Sequence, residues 1–223
     1  MVFFYYFPLE SKTKMAENKM KKTLAATLKT IVALAFVIAA PPGVRTRLWS
    51  EGNGVACRIT TSEGEIQLRV YPDKAPVTAA NFLRYVEAGL YDGSTFFRVV
   101  TQENQPDNQV KIEVIQGGDV AEEKCFPPIV LETTKATGLK HRDGTISMAR
   151  DTPGTATSSF FICIGDQPEL DFGGRRNPDG QGFAAFGRVV SGMDVIRRIH
   201  GAPAKGQSLD PPVRILEATR LRP

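Results

Sequence analysis

The 223-residue chain is 42% hydrophobic and carries a formal net charge of +4, a composition that excludes a wholly disordered protein. Six lysines and two glutamates lie within the first 39 residues, so the rest of the chain balances 22 basic against 22 acidic residues. The basic character therefore belongs to the leader. With no basic stripe carrying interleaved aromatic side chains, the sequence argues against a nucleic-acid partner.

Residues 1–40 are predicted to be a leader that contains a signal peptide. A cluster of three lysines lies a few residues before the apolar run of residues 30–40, which ends in small residues, as export signals do. They are Lys19, Lys21 and Lys22. The run is shorter than the roughly 20 residues that span a bilayer, so we expect export, to a periplasm, and no stable membrane insertion after cleavage. An uncleaved N-terminal membrane anchor is the alternative. Met20 is the expected true start, with Met15 as the alternative.

Residues 41–54 are predicted to be a short linker and residues 55–223 a single domain. Alternating apolar and polar residues between Gly-rich turns predict strands at residues 55–61, 66–70, 96–100, 112–116, 145–149, 159–164, 183–190 and 213–218. Helical spacing of apolar residues predicts one helix from Pro76 to Gly89 and a shorter one from Met193 to Gly201. Many short strands with two helices indicate a mainly β fold, a closed antiparallel barrel capped by helices.

One strand carries an unusual charge. Arg98 lies within Phe96-Phe97-Arg98-Val99-Val100, and Ile115-Gln116-Gly117-Gly118-Asp119 follows shortly afterwards. A guanidinium is costly to bury without a partner. The run therefore predicts either an arginine at the mouth of a pocket, facing a ligand, or a snorkelling arginine at a strand edge, and the residues alone leave both open.

The cysteines and histidines indicate no further site. Cys57, Cys125 and Cys163 are odd in number and widely spaced, which predicts neither a disulfide framework nor a zinc site. One disulfide and three buried thiols both remain possible. His141 and His200 have no Ser or Cys at a useful spacing, so we expect surface or structural histidines, no catalytic triad, no metal and no cofactor.

The order of six motifs resembles the cyclophilin family of peptidyl-prolyl cis-trans isomerases. The motifs occupy residues 75–82, 91–100, 115–119, 144–149, 158–162 and 185–189. The resemblance implies an eight-stranded antiparallel barrel with a helix at each end. It also implies isomerisation of Xaa-Pro bonds in proline-containing peptides and in unfolded or partly folded protein clients, by a monomer that needs no cofactor.

The resemblance also assigns the site. Arg98 matches the catalytic arginine that donates toward the twisted amide, and Gln116 matches the glutamine that orients it. The implied substrate-binding residues are the apolar walls and the residues beside them: Phe161, Leu170, Val114, Ser159 and Phe183. Ala149 and Arg150 match the stretch whose backbone pairs with an extended substrate.

Several positions depart from the family pattern. Ser159 replaces a glutamine, Glu169 an indole and Phe183 a pocket histidine, while Glu113 falls where a phenylalanine is usual unless Ile112 fills that place. The lost indole predicts weak binding of cyclosporin-type macrocycles. The departures also keep a second hypothesis open, a proline-peptide binding module or holdase chaperone with little catalytic activity.

Overall fold

The computed structural model describes residues 54–222. The predicted leader and all but the last residue of the predicted linker lie outside the described residues. The strands are β1 Val55–Thr61, β2 Gly64–Val70, β3 Thr95–Val100, β4 Val114–Gly117, β5 Thr145–Met148, β6 Phe160–Cys163, β7 Ala184–Ser191, β8 Ala204–Lys205 and β9 Ser208–Arg220. The helices are α1 Pro76–Glu87, α2 Thr134–Thr137 and α3 Met193–His200.

Eight strands close into a barrel. Their order is β1-β2-β7-β5-β6-β4-β3-β9, and β9 pairs with β1 to complete the ring. Neighbouring strands pair antiparallel. The two-residue strand β8 lies outside the ring and pairs with the start of β9. The predicted closed antiparallel barrel is therefore confirmed.

Both predicted helices are present, and the structure adds a third, the four-residue α2. The strand predicted from residue 112 begins only at Val114. The buried amide of Gln105 explains the difference: its Nε2 donates to the Ile112 carbonyl at 2.7 Å, and its Oε1 accepts from the Ile112 N–H at 3.3 Å. A side chain thus replaces a neighbouring strand at Ile112.

Helix α1 covers part of the barrel core. The apolar residues predicted to share one face, Ala79, Phe82, Leu83 and Val86, are all buried. The ring of Phe82 packs edge-on against Phe160 at 5.6 Å. Phe160 and Phe186, predicted as core, are fully buried.

The N-terminus of α1 is capped from a distant loop. No side chain at the helix start caps it, but the Glu132 carboxylate accepts from the backbone N–H groups of Val77 at 3.2 Å and Thr78 at 2.7 Å. A carboxylate there satisfies orphan donors and is favoured by the helix dipole. Glu132 thus ties the segment before α2 to α1.

All three cysteines are free thiols, with Cys57 and Cys163 buried. Burial raises the pKa of the Cys57 thiol to about 12, so the thiol stays protonated and unreactive. Within residues 54–222, no helix combines the length and the apolarity needed to cross a bilayer.

Candidate active site

A β-bulge turns Arg98 out of the barrel. The pairing of β3 with both β4 and β9 shifts register between Phe96 and Arg98. Phe96 and Val99, three residues apart, both point into the core, which strict alternation along a strand would forbid. The extra residue of the bulge accounts for this. Arg98 and Val100 consequently share the outer face of the strand, where they line a cavity.

Strands β3, β4 and β6 place three side chains in a row across this outer face. Arg98 is directly opposite Gln116, and Gln116 is directly opposite Phe161. Gly117 permits the close approach of β3, because a Cβ at this position would lie 2.8 Å from the Phe96 ring. The sequence motif around Gln116 therefore sets the spacing between the guanidinium and an aromatic wall.

The cavity on this face has a volume of about 370 Å³, within the range of small-ligand sites. It brings together all nine predicted site residues: Arg98, Val114, Gln116, Ala149, Arg150, Ser159, Phe161, Leu170 and Phe183. Ile112 lines it as well, whereas Glu113 does not. Of the two candidates for the position where a phenylalanine is usual, the structure thus places Ile112, and not Glu113, in the lining. The roles of these residues remain predictions.

Two glutamines clamp the Arg98 guanidinium. Its Nη1 donates to Gln116 Oε1 at 2.9 Å, while its Nε and Nη2 donate to Gln207 Oε1 at 2.9 and 2.5 Å. Burial lowers the pKa of Arg98, but an arginine stays charged in proteins. The clamp therefore fixes the direction of a permanent cation that has only neutral partners.

Sequence reasoning missed Gln207. This residue lies in the turn between β8 and β9, which packs beside β3 through the hydrogen bond from Val99 N–H to the Gln207 carbonyl at 2.9 Å. Gln207 Nε2 donates in turn to the Asn104 carbonyl at 3.1 Å. No local motif marks Gln207, because the residue is 109 positions from Arg98 in the sequence. Only the folding of the chain brings the two side chains into contact.

An apolar wall faces the clamp. Its buried members are Val100, Ile112, Val114, Phe161, Cys163 and Leu170, with Ala149 and Phe183 packed against them. The Phe183 ring meets the Phe161 ring edge-on at a centroid distance of 5.2 Å. An apolar wall with aromatic rings beside a fixed cation suits a ligand that has both an apolar ring and a polar backbone.

A buried polar network supports Phe161 from behind. The His141 ring stacks on Phe161 at 5.9 Å. His141 Nδ1 lies 2.8 Å from Asp171 Oδ1, and its Nε2 lies 3.0 Å from Ser147 Oγ. Burial lowers the pKa of His141 despite the carboxylate, so the neutral ring donates to Asp171 and accepts from Ser147.

This Ser-His-Asp order resembles a catalytic triad, which the sequence had not suggested. Ser147 is fully buried and His141 is 1% exposed, so no substrate can reach the hydroxyl. The network therefore orients the wall of the cavity. The expectation of a structural histidine holds for His141, although the residue is buried and not on the surface.

The Arg150 side chain braces the cavity wall through its own partners. It is 1% exposed, pairs with Asp179 at 2.8 Å, donates to the Gly182 carbonyl and lies over the Phe183 ring at 5.2 Å. Its backbone N–H and C=O have no hydrogen-bond partner among residues 54–222. An extended peptide could pair with this free backbone.

Local hydrogen bonds and an ion pair hold the side chains at two further positions, Ser159 and Glu169. Ser159 Oγ donates to the Gly118 carbonyl at 3.3 Å, and the Ser159 carbonyl accepts from Ala149 N–H at 2.9 Å. Glu169, expected to stand where many family members have an indole, does not line the cavity. Its carboxylate instead pairs with Arg175 at 3.1 Å.

Comparison with known proteins shows that the chain belongs to the cyclophilin-type peptidyl-prolyl cis-trans isomerase family. The family model described as cyclophilin type peptidyl-prolyl cis-trans isomerase/CLD matches residues 56–220. Peptidyl-prolyl cis-trans isomerase A of Dickeya dadantii is 35% identical over 184 residues, covering 80% of this chain and 84% of that protein. Peptidyl-prolyl cis-trans isomerase B of Escherichia coli is 37% identical over 153 residues, covering 66% and 85%.

The fold agrees with this assignment. The crystal structure of a Cryptosporidium parvum cyclophilin type peptidyl-prolyl cis-trans isomerase, determined in the presence of the dipeptide Ala-Pro, superposes with a TM-score of 0.59 at 20% identity. The match covers 75% of this chain and 99% of that one. Within the described residues, no cluster of His, Cys, Asp and Glu could hold a metal ion.

Proposed function

We propose that this protein isomerises Xaa-Pro bonds at the cavity beside Arg98, without covalent chemistry. The single observation that carries the proposal is the clamped guanidinium, held by Gln116 and Gln207 opposite the apolar wall. Membership of an isomerase family supports the same reaction.

The chemical task is to lower a rotational barrier. Amide resonance creates a barrier of roughly 18–20 kcal/mol, and uncatalysed proline isomerisation takes tens of seconds. When the amide twists, the proline nitrogen regains a lone pair. A donor fixed near that nitrogen stabilises the twisted state more than the planar ones, which is the condition for catalysis.

Arg98 meets this requirement. Its charge is permanent, so it donates without exchanging a proton. The two glutamines hold it in place before the substrate binds, so little reorganisation is needed when the amide twists. Neutral partners leave its charge uncompensated and available to the reacting amide.

The remaining lining residues bind the peptide. Phe161, Leu170 and Val114 offer the apolar surface for the proline ring. The free backbone of Arg150 offers one donor and one acceptor to an extended chain. Such contacts accept many sequences, which suits unfolded or partly folded protein clients.

Exchange spectroscopy on an Ala-Pro peptide tests the proposal. We expect the full-length protein, at catalytic concentration, to speed cis-trans exchange and to shorten the proline-limited phase of a refolding client. If the peptide binds but its exchange rate stays at the uncatalysed value, the alternative holds, and the protein is a proline-peptide binding module or holdase.

We also propose that the protein is exported, with a periplasmic location, or with an N-terminal membrane anchor as the alternative. The support is the sequence of residues 1–40, a lysine-rich segment followed by an apolar run. Cell fractionation with N-terminal sequencing of the mature protein tests this. Recovery of the uncleaved chain from the cytoplasm would refute export, and Met1 at the precursor's start would refute initiation at Met20.

A monomer is the proposed oligomeric state. The large apolar side chains exposed within residues 54–222 are spread over different elements: Val77 on α1, Val130 and Phe172 in loops, Val190 on β7 and Leu216 on β9. Sedimentation at increasing concentration tests this, and a dimer mass at micromolar concentration would contradict it.

A further inference from the structure

A second arginine lines the same cavity. Arg176 belongs to the loop of residues 172–182 and shares the lining with Arg98. Its Nη1 donates to Gln105 Oε1 at 2.9 Å and to the Val110 carbonyl at 2.7 Å. The loops that contain Arg176 and Gln105 therefore meet at the cavity wall, with a guanidinium at their junction.

The charge of Arg176 has no counter-charge. Its neighbour Arg175 pairs with Glu169, and Arg150 pairs with Asp179. By contrast, no carboxylate among residues 54–222 forms an ion pair with Arg176. The acidic member of the lining is Asp151, an exposed residue. Arg98 and Arg176 thus give the cavity two uncompensated positive charges.

The local field disfavours further cations. Burial, and secondarily the charge of Arg98, lower the pKa of Arg176. Burial disfavours any charge, but the part due to Arg98 is specific to positive charge, so the potential of the two guanidinium groups favours an anion between them. A bound carboxylate would relieve the repulsion between the two guanidinium groups.

Unused hydrogen-bond donors point the same way. Arg176 Nε and Nη2 have no acceptor in the described part of the chain, since the bonds of its side chain all leave from Nη1. Asn177 also lines the cavity, and its Nδ2 is buried without an acceptor. Arg176 and Asn177 therefore both present N–H donors that have no acceptor. An ionised carboxylate offers only acceptors, so it could supply the missing partner.

We infer that the site prefers peptides with an acidic side chain directly next to the proline, and that Arg176 is the residue that recognises it. The inference rests on the proposed function, because the proline must occupy the apolar wall for its neighbour to reach Arg176. It adds a substrate preference that the clamp at Arg98 does not provide.

A purely structural role is the rival explanation. Arg176 could serve only to join the two loops through Gln105 and Val110. Replacing it would then weaken turnover of all peptides equally. A comparison of isosteric charged and neutral peptides separates the two roles, because bracing the loops cannot favour Glu over Gln.

The test uses two pairs of proline peptides, with Glu or Gln immediately before the proline in one pair and immediately after it in the other. Exchange spectroscopy gives kcat/KM, and titration gives Kd, for the full-length protein. In at least one pair we expect the Glu peptide to exceed its Gln counterpart about tenfold, the effect of a hydrogen bond to a charged group. Raising the salt from about 0.05 to 0.5 M should reduce this ratio.

Matched variants locate the effect. Arg176→Gln should bring the Glu/Gln ratio to about one, and Arg176→Lys should retain part of it. Arg175→Gln removes the same charge from an adjacent residue that is 77% exposed and paired with Glu169, so the ratio should stay at the wild-type value. If Arg176→Gln does not fold, the inference is tested by the other two measurements. It stands if Arg176→Lys lowers the Glu/Gln ratio and salt reduces the wild-type ratio, and it fails if neither changes the ratio.

Each outcome has a distinct meaning. A wild-type ratio near one in both pairs, or a ratio that survives Arg176→Gln, overturns the inference. If the Gln peptides are isomerised while the ratio is one, the proposed function stands and only the preference fails. If no peptide is isomerised, the proposed function fails, and the Glu/Gln ratio of Kd values still decides the inference.

Discussion

Gln207 should control the rate of isomerisation, although it does not line the cavity. It supplies the acceptor for two of the three side-chain hydrogen bonds on the Arg98 guanidinium. The Gln207→Leu substitution keeps the approximate size of the side chain and removes the acceptor. Arg98 would then be held by Gln116 alone, and rotation about its side-chain bonds would scatter the donor directions.

The size of the effect follows from the hydrogen bonds lost. Both end on one oxygen, so we count them as one interaction with a charged group, about 1.5–3 kcal/mol. If this energy serves to align the donor for the twisted amide, each 1.4 kcal/mol lost from the transition state costs a factor of ten. We therefore expect kcat/KM to fall roughly ten- to hundredfold, with the loss in kcat and little change in KM.

Exchange spectroscopy over a range of peptide concentrations separates kcat from KM. Gln102→Leu is the control, because Gln102 donates to the Glu113 carboxylate at the surface and does not line the cavity. A merely structural role for Gln207 would lower the free energy of unfolding and leave kcat of the folded fraction unchanged. A folded Gln207→Leu protein with kcat within twofold of wild type would refute the positioning argument.

Three further predictions test the supports of the fold and the site. Glu132→Ala leaves the N–H donors at the start of α1 unpaired, so the free energy of unfolding measured by urea titration should fall by about 1–3 kcal/mol. The control, Glu123→Ala at an exposed position, should change it little. Equal losses in the two variants would contradict the capping role of Glu132. The lowered pKa of His141 means that the unfolded chain binds its proton first, so stability should fall as the pH drops below about 6.5. His141→Gln should remove that slope between about pH 5 and 7, and an unchanged slope would contradict the burial of a neutral ring. A cyclosporin-type macrocycle should bind weakly, because Glu169 pairs with Arg175 and offers no indole N–H; a nanomolar Kd by calorimetry would contradict this.

The barrel could be predicted because its signals are local. Short alternating runs and Gly-rich turns mark each strand, and the apolar spacing of α1 marks its buried face. Arg98, Gln116 and Phe161 could be placed together because the motifs that contain them resemble the cyclophilin family, and the antiparallel register of β3, β4 and β6 gives the physical reason. The residues alone left Arg98 between a pocket and a strand edge, and the bulge at β3 places it in the cavity.

What could not be predicted depends on contacts between distant segments. Gln207 reaches Arg98 only because the turn between β8 and β9 packs beside β3. Arg176 and Gln105 meet because two irregular loops fold against each other, and neither loop has a periodic pattern. The network of His141 was missed for the same reason, since Asp171 lies 30 residues away.

The central claim is that Arg98 stabilises the twisted amide more than the bound peptide. Its most direct test is Arg98→Ala in the full-length protein, with exchange rates and peptide Kd measured on the same sample and the fold checked by near-UV circular dichroism. Removing one preorganised donor should lower kcat by about 10²–10³ while Kd stays within about threefold. A folded Arg98→Ala protein that keeps the wild-type exchange rate, or whose loss lies wholly in Kd, would contradict the account.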